Sequence, residues 1–375
     1  MPGLLPDVDP DGLREFSVVY TDRALNHMSL SFQGVMRDIA RILKQVYHAE
    51  AAVVVPGSGS FGMEAVARQF AGGKKCMVVR NGWFSFRWSQ ILDMGAIPAS
   101  TTVLAARRGG EDRQAPFAPA PLAEVVAAIR AERPDVVFAP HVETASGMLL
   151  PDDYLRAVAA AVREVEGLFV LDCIASGCLW VDMAEIGVDV LISAPQKGWS
   201  GPPCCALVML GERARARLET TSSTSFACDL KKWSQIMAAY ETGGHAYHAT
   251  MPTEALRRLR DVMLEAEREG FDRLRAAQQE LGRRVRTLLE KKGYKSVAAA
   301  GFQAPGVVVS YTDDAELQSG RKFIALGLQT AAGVPLQCGE PADFKTFRIG
   351  LFGLDKLRDI DATVATLAAA LDRIV

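Results

Sequence analysis

Lys197 lies in "SAPQKGWSGPP" (193–203), directly after the apolar run Val190, Leu191 and Ile192. A lysine just past a buried strand costs desolvation, so its place asks for a chemical reason. An amine held there can form an imine with an aldehyde. Other reactive groups also follow apolar runs. Asp172 ends "LFVLD" (168–172), His141 and Glu143 follow "DVVFAP" (135–140), and "GSGSFG" (57–62) follows "AAVVVP" (51–56). A carboxylate can hold a proton on a ring nitrogen, and a Gly/Ser turn opening a helix offers N–H groups and hydroxyls to a phosphate. Taken singly, such a turn is most often structural and a strand-end Asp is often a helix cap. Their joint order carries the weight.

Aldehyde, basic ring nitrogen and phosphate are the three groups of pyridoxal phosphate. Lys197 suits the first, Asp172 the second, and Ser58, Gly59 and Ser60 the third.

The elements that must position these residues are short β-rich runs alternating with amphipathic stretches. Strands are expected at 51–56, 76–80, 135–140, 168–172, 189–193 and 205–210, and helices at Met63–Ala71, Leu122–Glu132, Pro151–Glu166 and Met183–Ile186. This predicts an α/β domain, a mainly parallel sheet with helices on both faces, and a ligand crevice at the carboxyl ends of the strands. From about residue 254 the chain reads as one long helical segment, followed by strands at "GVVVSYT" and "TFRIGLF" and a last helix, Ile360–Ile374. The expected division is an amino-terminal arm (1–25), a large domain (26–269) and a smaller carboxy-terminal α+β domain (270–375).

A chain of 375 residues with 49% hydrophobic residues and net charge -2 gives no reason to expect nucleic acid or an acidic membrane as partner. No apolar run is long enough to span a bilayer, and "MPGLLPDVDPDGLREF" is too acidic and Pro-rich for a signal peptide, so a cytoplasmic protein is expected. The 7 cysteines are scattered through apolar stretches, as for thiols in a reducing compartment. Cys173 with Cys178, and His245 with His248, lack the further ligands that zinc requires, so no metal is expected.

The chain resembles the class V aminotransferases of pyridoxal-phosphate fold type I, within them the alanine–glyoxylate and serine–glyoxylate (serine–pyruvate) group. The resemblance runs from about residue 26 to the end. It is carried by "NHMSLSF" (26–32), "GSGSFGMEA" (57–65), "NGWFSFR" (81–87), "HVETASG" (141–147), "LDCIAS" (171–176), "SAPQKGWSGPP" (193–203), "SFACDLKKW" (225–233), "YHATMPT" (247–253) and "FRIGLFG" (347–353), in order. It implies a seven-stranded, mainly parallel sheet and a ping-pong transfer from a small amino acid to a 2-oxo acid such as glyoxylate or pyruvate. It also implies that Lys197 holds the cofactor aldehyde, Asp172 pairs with the pyridine nitrogen, and Gln196, Ser58, Gly59 and Ser60 contact the phosphate. Tyr247 and Thr250 match a pair that reaches the phosphate from the other subunit, which implies a homodimer with shared sites. Phe84 aligns with an aromatic that stacks on the ring, with Trp83 next to it as the other candidate. Ile174 would cover the opposite face, Thr144 would sit near the phenolic oxygen, and Arg348 would take the substrate carboxylate.

The chain departs from the family at "EFSVVYTDRALNHMS" (15–29), where a "PGP"-type loop is usual and Tyr20, Asp22 and Arg23 stand instead. These three either line the pocket or belong to a surface arm. His141 reads as an orienting group near the cofactor. Two alternatives stay open on the same fold: a 2-aminoethylphosphonate–pyruvate transaminase, whose relatives usually lack the glutamine before the lysine, and a lyase or desulfurase. A desulfurase wants its cysteine well upstream of the carboxylate arginine, whereas Cys338 lies only ten residues before Arg348. A non-catalytic binding protein on this fold would be expected to lose Lys197 or Asp172, and both are present.

Overall fold

The structure, a computed structural model, describes residues 13–374. The first twelve residues of the expected arm lie outside the described residues, as does Val375. Seven strands form the main sheet: β1 (Ala51–Pro56), β2 (Lys75–Arg80), β3 (Ser100–Ala105), β4 (Val136–Pro140), β5 (Leu168–Asp172), β6 (Val190–Ser193) and β7 (Cys205–Leu210). Their spatial order is β1-β7-β6-β5-β4-β2-β3. The five strands from β6 to β3 run parallel, and β7 is antiparallel to both β6 and β1. β4 and β5 are buried at every position, as continuous apolar runs in a covered parallel sheet should be.

The expected strands recur within a residue at each end, and β3 is the addition. Its sequence, "STTVLA", opens on hydroxyl residues and lies at the sheet edge without a fully buried position. It therefore lacks the apolar run that marks the other strands.

The first three helices are α1 (Leu30–Tyr47), α2 (Gly59–Phe70) and α3 (Trp83–Met94), of which α2 and α3 reach the site. α2 begins four residues before the expected start at Met63 because the Gly/Ser turn is itself the helix's first turn. Close packing explains the glycine there: a Cβ at Gly59 would lie 2.6 Å from Ile174 Cδ1. The segment after residue 252, read as one long helix, is two, Thr253–Glu269 and Phe271–Lys291. They are divided at Gly270, whose φ of 90° only glycine adopts without strain. A three-stranded antiparallel sheet follows, with Thr346–Gly350 between Val307–Tyr311 and Ala331–Ala332. The last helix is Ile360–Arg373. Among the described residues, no helix is long and apolar enough to cross a membrane.

Candidate active site

The carboxyl ends of β4, β5 and β6 and the amino end of α2 converge on a cavity of about 280 Å³. Asp172 closes β5 and is held in register by both neighbours, opposite Ile192 of β6 and Pro140 of β4. The His141 N–H donates to the Asp172 carbonyl at 2.8 Å, and the Cys173 N–H donates to the Ile192 carbonyl at 2.8 Å. The backbone beneath the carboxylate is thus fixed on both sides, while the side chain faces the cavity and accepts an N–H from Ile174 at 2.9 Å.

Lys197 lines the same cavity from a tight turn after β6. The Ser200 N–H donates to the Lys197 carbonyl at 3.1 Å, and the Gly201 N–H donates to the Pro195 carbonyl at 2.9 Å. Ser200 occupies the left-handed region, with φ 58°, and its Oγ accepts the Leu354 N–H at 2.8 Å. Gly198 is required by close approach, since a Cβ there would lie 2.1 Å from the Gly177 carbonyl oxygen. The Lys197 ammonium nitrogen stands 5.2 Å from the Phe352 ring centroid.

Nine of the sequence-predicted residues line this cavity. Ser58, Gly59 and Ser60 form its α2 end, and Asp172, Gln196 and Lys197 form the strand end. Phe84, Thr144 and Ile174 complete the wall, and Trp83, the other aromatic candidate, is not among the lining residues. Arg348 stands just behind them on the Thr346–Gly350 strand. Its Nε donates to the Ala332 carbonyl at 2.7 Å, and its guanidinium lies 5.6 Å from the Phe84 centroid. Tyr247 and Thr250 are not brought to the cavity. They are exposed, with hydroxyls 3.1 Å apart.

The residues around Tyr20 do not line the cavity of their own chain either. The Tyr20 hydroxyl donates to the Met251 carbonyl at 3.1 Å, and the Leu25 N–H donates to Glu254 at 2.9 Å, so this stretch lies against the segment that carries Tyr247 and Thr250. Asp22 and Arg23 form an exposed pair at 3.9 Å. His141, expected near the cofactor, instead lines a separate cavity, with its Nδ1 2.7 Å from Ser176 Oγ. Burial lowers its pKa to about 4, so the ring stays neutral. Side chains alternate in direction along the chain after β4, which is why Val142 and Thr144 reach the Lys197 cavity while His141 does not.

Arg87 escaped the sequence reading, and Glu143 was named there only as a polar group after a strand end, without the contacts it makes. Arg87 lines the cavity and donates from Nη1 to Ser60 Oγ at 2.7 Å. Its signal was its place three residues after Phe84, one helical turn along the same face. Glu143 is fully buried and accepts N–H groups from Phe84 (3.2 Å), Ser85 (2.8 Å) and Ala145 (2.9 Å), together with the Ser85 hydroxyl (2.7 Å). It therefore caps α3 and holds Phe84 in place.

Electrostatics distinguish the two central groups. Burial pushes the Asp172 carboxyl up to about 7; the Ile174 N–H opposes this, Glu143 adds to it, and Arg87 and Lys197 oppose it. Burial also lowers the Lys197 pKa, with Arg348 and Arg87 repelling its charged form and Asp172 acting against them. The site thus holds an acid short of a cation and an amine whose charged form is disfavoured relative to a free lysine.

These features fit pyridoxal phosphate. The buried carboxylate has room for a protonated ring nitrogen, and the first turn of α2, which has no side-chain cap, leaves N–H groups for a phosphate. Glycine at 59 lets Ile174 pack against this turn at the cavity wall.

No family model matches the chain. A 2-aminoethylphosphonate–pyruvate transaminase from Burkholderia ambifaria is 30% identical over 361 residues, covering 94% of this chain and 89% of the relative. The chain belongs to the class V aminotransferases. Alanine–glyoxylate aminotransferase 1 of Saccharomyces cerevisiae is 26% identical over 264 residues, covering 66% of each chain. An alanine–glyoxylate aminotransferase from Nostoc sp. superposes with a TM-score of 0.75 over 92% of this chain and 88% of its own, at 21% identity, which shows the shared fold. The chain is therefore a fold type I aminotransferase, and its family implies pyridoxal phosphate as cofactor.

Proposed function

We propose that this aminotransferase moves an amino group from a small donor of the alanine or serine type to a 2-oxo acid such as glyoxylate or pyruvate, by ping-pong kinetics. The observation that carries the reading is the single cavity shared by Lys197, Asp172 and the amino end of α2. Pyridoxal phosphate, when bound, supplies an aldehyde and an electron-withdrawing ring that makes the donor Cα–H acidic. Lys197 anchors it and then, as a free amine, takes the proton from the donor Cα. Its depressed pKa, set by burial and by Arg348 and Arg87, favours the neutral amine that this task needs. Asp172 keeps a proton on the ring nitrogen.

Ser58, Gly59, Ser60 and Gln196 would hold the phosphate, Phe84 and Ile174 would pack against the ring, and Thr144 would offer its hydroxyl to the cofactor. Arg348 takes the substrate carboxylate in a two-pronged hydrogen bond. Tyr247 and Thr250, exposed on their own chain, would meet the phosphate of a second copy, so we infer a homodimer with composite sites. We also read the chain as a large domain (26–269) and a small one (270–375) that bring Lys197 and Arg348 to one site. Seven free cysteines support a cytoplasmic location.

The Burkholderia relative favours a second reading, 2-aminoethylphosphonate as donor to pyruvate. The Arg348 fork suits a phosphonate as well as a carboxylate. Single-turnover bleaching of the cofactor band by alanine, serine and 2-aminoethylphosphonate separates the two. Bleaching by the amino acids alone supports the first reading, bleaching by the phosphonate alone supports the second, and bleaching by no amine defeats both.

A further inference from the structure

One cation lining the cavity, Arg87, has been given no ligand so far, only an electrostatic effect on Lys197 and Asp172. Arg87 lies on α3, and its guanidinium is 5.2 Å from the Phe84 centroid. Its one hydrogen bond, among the described residues, runs from Nη1 to Ser60 Oγ at 2.7 Å. No carboxylate within the described residues forms an ion pair with it, so most of a planar donor fork is left without a protein partner. A half-buried guanidinium anchored to a hydroxyl, with the rest of its donors beside a cavity, is arranged for an anion.

Its anchor says which end of the cavity that anion occupies. Ser60 belongs to the first turn of α2, whose amino end has no side-chain cap. A helix end contributes only a partial charge of roughly half a unit, and hydroxyls contribute none. A phosphate carrying nearly two negative charges is poorly compensated by those alone. Lys197 is committed to the aldehyde end, and Arg348 is held on another strand by its bond to Ala332. Arg87 is the full cation tied to the α2 end.

We propose that Arg87 binds the phosphate group of the cofactor, steadied by Ser60, and sets the preference of this site for pyridoxal phosphate over unphosphorylated pyridoxal. The inference rests on the reading of the cavity as a pyridoxal-phosphate site. A simple brace between α2 and α3 would have a different signature, because it would affect both ligands alike.

The test is equilibrium titration of the wild type, Arg87→Met and Arg87→Lys with pyridoxal phosphate and, separately, with pyridoxal, read by absorbance and by isothermal calorimetry. Circular dichroism checks that each variant is folded. Arg87→Met should weaken pyridoxal phosphate about 10- to 100-fold more than it weakens pyridoxal, as expected for a lost charge-assisted bond, since its effect on the Lys197 amine is common to both ligands. Arg87→Lys, which keeps the charge without the fork, should fall between, and it carries the test if the methionine variant does not fold. Equal weakening of both ligands, or an unchanged ratio, overturns the proposal while leaving the cofactor site intact. A wild type that binds neither ligand overturns the aminotransferase site itself, and the role of Arg87 with it.

Discussion

The Ile174 N–H donates to Asp172 Oδ1 at 2.9 Å, while the carboxylate otherwise faces the cavity that Lys197 lines from the turn after the neighbouring strand. One backbone bond is little compensation for a buried charge. Among the described residues, no cation stands at contact distance from this carboxylate.

Stability of the cofactor-free protein should report this. Burial raises the Asp172 pKa to about 7, so the folded state binds this proton more tightly than the unfolded chain does. The group's contribution is most favourable below the ordinary carboxylate range and is lost as pH rises toward about 7, at about 1.4 kcal/mol for each pH unit. Asp172→Asn should flatten that slope and leave the cofactor-free protein more stable than wild type above pH 7, in urea titrations across pH. The same variant should bind the cofactor more weakly.

Arg348 should tune the lysine. Removing its charge in Arg348→Gln leaves Lys197 with less repulsion, so the lysine pKa should rise. The pH profile for borohydride trapping of pyridoxal phosphate should then move to higher pH than in wild type. An unchanged profile would show that Arg348 does not act on the lysine electrostatically.

Glu143 should matter for stability before chemistry. Glu143→Ala strips a buried acceptor from the Phe84, Ser85 and Ala145 N–H groups. A loss of about 1–3 kcal/mol is expected in urea unfolding, because the donors are left buried without partners. Glu143→Gln, which keeps the volume and one acceptor, should lose less.

Gly198→Ala should displace the lysine turn, because a Cβ would enter the Gly177 carbonyl at 2.1 Å. The expected result is slower cofactor trapping by at least about tenfold, following from misplacement of the reacting amine. Alanine at Gly301, where a Cβ meets nothing within 4 Å although φ is 85°, controls for backbone strain alone.

What the sequence made visible follows physical lines. Buried parallel strands appear as apolar runs, and strand ends point to the crevice, so Asp172, Lys197 and the Ser58–Ser60 turn could be placed together before any coordinates. β3 was missed because an edge strand needs no apolar run. Arg87 was missed because its meaning lies in the reach from α3 to α2, and such a tertiary contact has no sequence period. Tyr247 and Thr250 mark the opposite limit: the family resemblance singled them out, and this chain leaves them exposed, away from the cavity.

Peptide mass mapping after borohydride reduction in the presence of pyridoxal phosphate tests the central assignment most directly. A pyridoxyl group on the peptide at Lys197, absent from Lys197→Ala, is the result that this account predicts. Labelling at another lysine, or none at all in a protein saturated with the cofactor, would contradict it.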